Sequence, residues 1–250
     1  MDFIVPDWID APANIGALST TRRGGVSGMP YDDGAGGGGL NLGMHVNDDP
    51  ELVRQNRALL RRRLPAEPAW LTQVHGTKVV NAAEAAGVPA ADASIATQPG
   101  GVCAIQTADC LPVLFCDAAG RTVGAAHAGW RGLAAGVLEN TLARMRDAGA
   151  TDILAWLGPA IGPQCFEVGR DVFDVFVARD RYMAAAFTPI DGQAEKYLAD
   201  IFALARMTLS NAGVNKVSGG GNCTVTDARS FYSYRRDKTT GRMASLIWLK

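Results

Sequence analysis

Short apolar runs separated by glycine-rich turns mark the middle of the chain. Val102–Thr107 and Val113–Cys116 have the length and residue types of buried strands, and Arg121–Ala126 follows as a third. The turn after the first run carries Cys110, and the third run is followed at once by His127. These positions predict a sheet that presents a thiol and an imidazole at its rim.

Apolar residues at helical spacing predict four helices around these strands. The first predicted helix begins after a cap at Asp48 or Asp49 and runs to about Leu64. The other three span Leu133–Ala148, Asp171–Arg179 and Glu195–Ala212. Further strands are predicted at Ile15–Thr21, Trp70–His75, Ile153–Leu157, Val214–Val217, Phe231–Tyr234 and Met243–Trp248. Strands that alternate with helices predict an α/β or mixed α+β sandwich, and we expect a single domain over residues 1–250.

One segment lacks any such pattern. Gly34 and the run from Gly36 to Gly39 cannot contribute side chains to a core, so residues 32–39 are expected to form a mobile loop.

Composition narrows the function classes. The 250 residues are 48% hydrophobic and carry a formal net charge of −1, with Lys and Arg spread along the chain. Bulk charge therefore gives no case for nucleic-acid or membrane binding, and the ligand is expected to be small. The N-terminus lacks the pattern of a signal peptide, so we expect a soluble, cytoplasmic protein. A monomer and a homodimer both stay open, because no pattern in the sequence decides between them.

The chain has five Cys and three His. An odd number of Cys without an export signal favours reduced thiols, and most of them are expected to fill the core. Cys110 differs because it lies near His127, and His75 of the QVHG segment is a third candidate. Two imidazoles and one thiolate leave a metal ion with an open coordination position, which is typical of catalytic zinc. A Cys110/His127 nucleophile dyad and ordinary structural roles remain alternatives.

Three other residues are candidates for substrate contacts or proton transfer. Strand alternation would place Gln73 on the same side as His75, where it could orient the imidazole or the substrate. Arg131 of the AGWRG turn precedes a predicted helix, whose N-terminal N–H groups favour a phosphate or carboxylate. Glu167 follows the GPAIGP loop and could present a general acid.

Several enzyme classes are excluded by the residues themselves. No His is followed two residues later by the Glu that zinc deaminases of the HxE class require. Three imidazoles cannot supply a blue copper site plus a trinuclear cluster, so at most one copper would fit. Neither a GxGxxG nor a GxxxxGK[ST] motif indicates a dinucleotide or nucleoside triphosphate fold.

Several motifs together resemble the bacterial YfiH family, also called polyphenol oxidase or laccase-domain proteins. The matching segments, between about Leu18 and Leu249, are TTRRGGVSG, LNLGMHVNDDP, WLTQVHGT, TADCLPVLFCD, AAHAGWRGLAAGVLE, AWLGPAIGP, FEVG and FYSYRRDKTTGRMASLIWL. The resemblance implies a layered sandwich of mixed β-sheets covered by helices and related to cysteine hydrolases. It also implies zinc, with Cu²⁺ as the alternative ion, on His75, Cys110 and His127.

The resemblance further implies phosphorolysis of adenosine, inosine and methylthioadenosine, with adenosine deaminase activity. Phosphate would be held by cations such as Arg131 or Arg235, while Asn41 and Glu167 would contact sugar or base. Two alternatives are a peptidoglycan editing amidase that removes serine from a muramyl precursor and a copper-dependent polyphenol oxidase. The chain departs from the family where DDGAGGGG separates Tyr31 from Leu40, which is expected to affect substrate range or loop order.

Overall fold

Two β-sheets packed face to face form the centre of the computed structural model, which describes residues 1–8 and 10–250. The strands are β1 Phe3–Ile4, β2 Ile15–Thr20, β3 Arg23–Ser27, β4 Pro68–Ala69, β5 Val79–Asn81, β6 Ala93–Ala96, β7 Val102–Thr107, β8 Leu111–Asp117, β9 Val123–Ala128, β10 Ile153–Leu157, β11 Glu167–Gly169, β12 Phe187–Pro189, β13 Lys196–Ala199, β14 Val217–Gly219 and β15 Met243–Leu249. One sheet has the order β1-β2-β15-β7-β4 and the other β14-β10-β8-β9-β6-β5. A small third sheet has the order β11-β13-β12.

Alternation along the strands places different residues on the two faces of each sheet. In β8, Leu114 and Cys116 pack between the two large sheets, together with Ile105 of β7 and Ile247 of β15. The intervening Phe115 of β8 is fully buried against the helical layer on the other side. Both faces of β8 are therefore buried, which fixes its register and the position of the turn that precedes it.

Helices cover the outer faces of both large sheets. They are α1 Pro50–Arg61, α2 Trp130–Ala135, α3 Val137–Asp147, α4 Arg170–Arg179, α5 Ile201–Asn211 and α6 Tyr234–Asp237, with a 3₁₀ helix at Arg181–Ala186. Leu60 of α1 packs on the sheet that contains β15, and Leu142 of α3 packs on the sheet that contains β8. This order of layers confirms the predicted mixed α/β sandwich.

Most predicted strands in the centre are confirmed, while the first predicted helix ends three residues early, at Arg61, and two others differ more. The segment predicted as Leu133–Ala148 is divided into α2 and α3 by Gly136, whose φ of 101° ends the first helix. The segment predicted as a helix from Glu195 begins instead with β13, and α5 starts only after Asp200. Asp200 caps α5 by accepting a hydrogen bond from the N–H of Ala203 at 2.9 Å.

Three predicted strands are wrong in type or position. Phe231–Tyr234 is not a strand, and its last residue begins α6, capped by Ser233. The strand predicted at Val214–Val217 begins only at Val217. Trp70–His75 forms no strand, because the N–H groups at its end bond to a carboxylate instead of a neighbouring strand. Residues 32–39 lie outside the strands and helices, and their mobility stays a prediction.

No helix in the described part of the chain is both long and apolar enough to cross a lipid bilayer.

Candidate metal centre

Cys110 lies in the turn that carries the chain from one large sheet to the other. The turn, residues 108–110, joins β7 of the first sheet to β8 of the second. Asp109 has a φ of 93°, and its carboxylate accepts hydrogen bonds from Thr224 Oγ1 and the Arg235 N–H, each at 2.6 Å. These bonds stabilise a strained backbone and fix the half-buried Cys110 at the rim of the sandwich.

His127 lies inside β9, one residue before its end. The antiparallel register pairs it with Pro112 of β8, so its imidazole lies beside the Cys110 turn. The residue is only 3% exposed, and its Nδ1 is 2.8 Å from Asp92 Oδ1. A carboxylate on Nδ1 leaves the Nε2 atom free to bind an ion.

Asp92 holds His75 as well as His127. The fully buried carboxylate accepts hydrogen bonds from the backbone N–H groups of Val74, His75 and Gly76 at 2.7–3.1 Å. His75 has a φ of 59°, a conformation that a non-glycine residue rarely adopts without such support. One carboxylate thus places two imidazoles that lie far apart in the sequence.

The three predicted donor residues meet at one point. Ligand atoms of His75, Cys110 and His127 all lie within 4.8 Å of one another, and Cys110 Sγ is 3.7 Å from His75 Nε2. Tetrahedral zinc with Zn–S of about 2.3 Å and Zn–N of about 2.0–2.1 Å would separate these two atoms by about 3.6 Å. The donor set and its spacing therefore fit a zinc ion, although the roles as ligands stay a prediction.

Gly129 leaves the space around these donors open. A Cβ atom at this position would lie 2.9 Å from His75 Cδ2 and 3.0 Å from Cys110 Sγ. Such contacts are too short for carbon, so any larger residue at position 129 would push the donors apart.

When no ion is bound, Cys110 and His127 shift each other's pKa. Burial raises the pKa of Cys110, but the positive charge of His127 and hydrogen bonds from His127 and His75 outweigh it, and the pKa falls to about 6. Burial lowers the pKa of His127, whereas the Cys110 charge and the Asp92 hydrogen bond raise it to about 9. A thiolate and an imidazolium therefore coexist near neutral pH.

The donors lie on the wall of a cavity of about 440 Å³. Its lining includes the apolar or aromatic side chains of Trp130, Ile161, Phe166, Ile201 and Tyr234. Its polar lining includes Gln73, Gln106 and three arginines, Arg131, Arg235 and Arg242. A cavity of this size with mixed apolar and polar walls is typical of a small-molecule site.

The other predicted site residues fall into two groups. Gln73, Arg131 and Arg235 line the cavity, although Gln73 is also tied to Gln106 by two hydrogen bonds of 2.8 Å to its backbone. Asn41 and Glu167 do not line it. Asn41 is fully buried in a hydrogen-bonded loop, and the Glu167 carboxylate pairs with Lys196 at 3.1 Å. The contacts of these two side chains with sugar or base stay a prediction, although neither residue is among those that line the cavity.

Sequence reasoning missed Asp92, Asp109 and Arg242. Asp92 lies directly before β6 in the mostly apolar ADASIA segment, and an acid at the edge of such a run was the available signal. Asp109 and Arg242 carried no comparable pattern, because their partners are distant in sequence.

The sandwich and its His/Cys/His group define a protein of the laccase-like, metal-binding class. The family model described as multi-copper polyphenol oxidoreductase laccase matches residues 16–250, and the chain belongs to this family, which includes the YfiH proteins.

Two relatives similar in sequence are described as purine nucleoside phosphorylases and not as laccases. Purine nucleoside phosphorylase YfiH of Escherichia coli is 53% identical over 249 residues, which cover 98% of each chain. A purine nucleoside phosphorylase of Pseudomonas aeruginosa is 52% identical and covers 99% of this chain and 98% of its own. A crystal structure of a Neisseria meningitidis protein of the same family superposes with a TM-score of 0.92 at 52% identity, over 100% of both chains.

The low pKa of Cys110 predicts its reactivity in metal-free protein. The thiolate should be present above about pH 6 and lost as the pH falls through 6, so alkylation by iodoacetamide should show a midpoint near pH 6. Burial raises the pKa of Cys103 and Cys116 to about 12, so these thiols should stay unreactive. Subtracting the rate of Cys110→Ser isolates the Cys110 signal. A midpoint near 8.5, the ordinary value for a thiol, would contradict the predicted ion pair.

Replacing Asp92 with Asn should weaken metal binding. The change removes the charge that orients His127 and one acceptor of the His75 loop, and we expect zinc affinity to fall by about 10- to 100-fold in a competition titration. Asp117→Asn is the matched control, since Asp117 is equally buried but bonds to Arg121 at the far end of β8. Equal losses in both variants would mean that Asp92 acts on stability alone.

Proposed function

We propose that the chain is a zinc-dependent purine nucleoside phosphorylase that also deaminates adenosine. The observation that carries this proposal is the convergence of His75, Cys110 and His127 on the wall of a cavity that also holds aromatic rings and arginines. The names of the E. coli and P. aeruginosa relatives support the substrate class.

Phosphorolysis needs a pocket that holds a purine, a pentose and a phosphate together. The faces of Trp130, Phe166 and Tyr234 can stack on a purine ring. Arginines on the cavity wall, Arg131 and Arg235 among them, supply the positive charge that phosphate requires. A cavity of about 440 Å³ lies within the usual range for small-molecule sites, about 300–1,000 Å³.

The reaction itself exchanges one bond. A phosphate oxygen forms a bond to the anomeric carbon as the bond to the purine nitrogen breaks, and the electron pair leaves with the purine. The proton of hydrogen phosphate ends on the purine, so the products are the free base and the pentose 1-phosphate. Holding phosphate and nucleoside in line converts a two-body encounter into a reaction within one complex.

The residues of the centre have separate tasks in this scheme. His75, Cys110 and His127 would hold the zinc, and Asp92 would keep His127 in the tautomer that binds through Nε2. Zinc with an open position supplies Lewis-acid polarisation and a hydroxide at neutral pH, which suits deamination of adenosine.

A nucleoside assay tests the proposal directly. Zinc-loaded protein with adenosine, inosine or methylthioadenosine should release free base only when phosphate is added, and should convert adenosine to inosine without phosphate. Cys110→Ala should lose both reactions by at least about 100-fold, because the loss of a ligand should exceed the effect of an outer-shell change. Chromatography of bases and nucleosides measures all products.

Cys116→Ala is the matched control, since it removes a buried thiol from the other end of β8. Activity should stay within a few-fold of wild type in this control. If the wild type gives no nucleoside product under any metal loading, the proposed function is wrong.

The family description favours a second candidate, copper-dependent oxidation of phenols. Two imidazoles and one thiolate are also the equatorial ligands of mononuclear blue copper sites. Phenol oxidation that requires copper and exceeds every nucleoside reaction would favour this candidate. Oxidation that persists in zinc-loaded, copper-free protein would contradict it.

A further inference from the structure

Two basic side chains lie at the cavity on segments not yet assigned a role. Arg242 and His45 line the cavity, and we call this pair the basic corner. Arg57 of α1 lies behind them, with its guanidinium 4.1 Å from the ring centre of Trp70. The charges of Arg242 and Arg57 both act on His45.

The guanidinium of Arg242 is fixed by its own loop. Nη1 donates to the carbonyl groups of Thr240 at 3.1 Å and Gly241 at 3.0 Å. Nε and Nη2 have no hydrogen-bond partner among residues 1–8 and 10–250, although the side chain is half-buried at the cavity. Three N–H bonds of a pre-oriented guanidinium are therefore available to a ligand.

The LNLGMH segment holds Arg242 in this position. Asn41 Oδ1 accepts the backbone N–H of Arg242 at 2.9 Å, and Asn41 Nδ2 donates to Asp48 at 2.8 Å. A Cβ atom on Gly43 would lie 2.8 Å from Cγ of Arg242, so only glycine leaves room for this side chain. The buried Asn41 thus acts on the cavity through Arg242.

No acidic side chain that the structure describes forms an ion pair in this corner, although the negative charges of the Cys110 thiolate and of Asp109 act on Arg242. In the described chain, with Ile9 excepted, no carboxylate oxygen lies within 4.0 Å of the side-chain nitrogens of Arg242, His45 or Arg57. Burial and the charges of Arg242 and Arg57 lower the pKa of His45, and burial lowers the pKa of Arg57 to about 10. The lowered pKa leaves His45 mainly neutral at neutral pH, where its imidazole can donate one hydrogen bond to an anion, and a bound anion would favour its protonated form.

The other two arginines of the cavity are less available. The guanidinium of Arg235 already donates to the carbonyl groups of Cys165 and Glu167 at 3.2–3.3 Å. Arg131 is exposed, and its guanidinium lies 4.3 Å from the ring centre of Trp130. Arg242 alone of the three combines partial burial, a fixed orientation and free donors.

We propose that Arg242 and His45 form the oxyanion subsite that takes inorganic phosphate beside the metal centre, with Asn41 and Gly43 as positioning residues. The proposal rests on the phosphorolysis proposed above and assigns its second substrate to a definite wall of the cavity. A phosphoryl or carboxylate group on a larger substrate has the same chemistry as free phosphate, so the test separates these sources.

Arg242→Met removes the charge and keeps most of the apolar side chain. In zinc-loaded protein, the KM for phosphate and the Kd for phosphate by calorimetry should both rise by about 10- to 100-fold, as expected for lost hydrogen bonds to a charged group. The KM for inosine and the zinc content should change less than twofold. Arg242→Lys should recover part of the phosphate affinity, because it restores the charge without the planar donor group.

Two further variants separate the position of the Arg242 side chain from its charge and from a general effect of removing an arginine. Gly43→Ala should raise the KM for phosphate with the charge intact, because it displaces the Arg242 side chain. Arg54→Met is the control, since Arg54 is exposed on α1 and bonds to Glu51. It should leave both phosphate constants unchanged.

The outcomes distinguish this proposal from the proposed function. Unchanged phosphate constants in Arg242→Met, or a wild type that binds adenosine 5′-monophosphate or a carboxylate but not phosphate, would overturn the subsite. If no nucleoside is cleaved but phosphate binds to wild type and not to Arg242→Met, the phosphorylase proposal fails and the oxyanion subsite stands.

Discussion

The candidate site depends on one buried carboxylate. Asp92 accepts hydrogen bonds from three successive N–H groups of residues 74–76 and from the imidazole of His127. These bonds outweigh the effect of burial and lower the pKa of Asp92, so the group remains charged in the interior. Without it, the left-handed backbone of His75 and the ring orientation of His127 would have no common support.

The sandwich explains why the donors converge at its rim. Cys110 lies in the turn that crosses from one sheet to the other, and the β8–β9 register brings His127 beside it. Asp109 ties this turn to the segments that carry Thr224 and Arg235. Segments from four parts of the chain thus meet where the two sheets come together, and those of Cys110 and His127 are held by β8 and β9, whose faces are buried. Rigid elements of this kind can keep donor atoms within the narrow limits that a metal ion requires.

Local patterns predicted the central strands and placed Cys110 and His127 at or near strand ends. The residues around Cys110 and His127 favour strands by their intrinsic propensity, and the burial of β8 and β9 in the sandwich favours the same conformation. His75 was predicted as a candidate donor, but its segment was assigned to a strand. Its backbone instead bonds to Asp92, a partner that no pattern in residues 70–75 could indicate.

The remaining features depend on contacts between distant residues. The aromatic segment Phe231–Tyr234 favours a strand by propensity, yet Ser233 caps a helix and Asp109 binds the N–H of Arg235. Arg242 becomes a cavity residue only because Asn41 and Gly43, about two hundred positions earlier, hold and admit it. Tertiary hydrogen bonds therefore decided the parts of the site that sequence periodicity left open.

X-ray absorption at the zinc edge of zinc-loaded protein tests the shared metal centre most directly. One zinc per chain should show one sulfur at about 2.3 Å, two imidazole nitrogens at about 2.0–2.1 Å and one further light atom in the open position. A zinc shell without sulfur, or one with two or more sulfurs, would contradict a centre built from His75, Cys110 and His127.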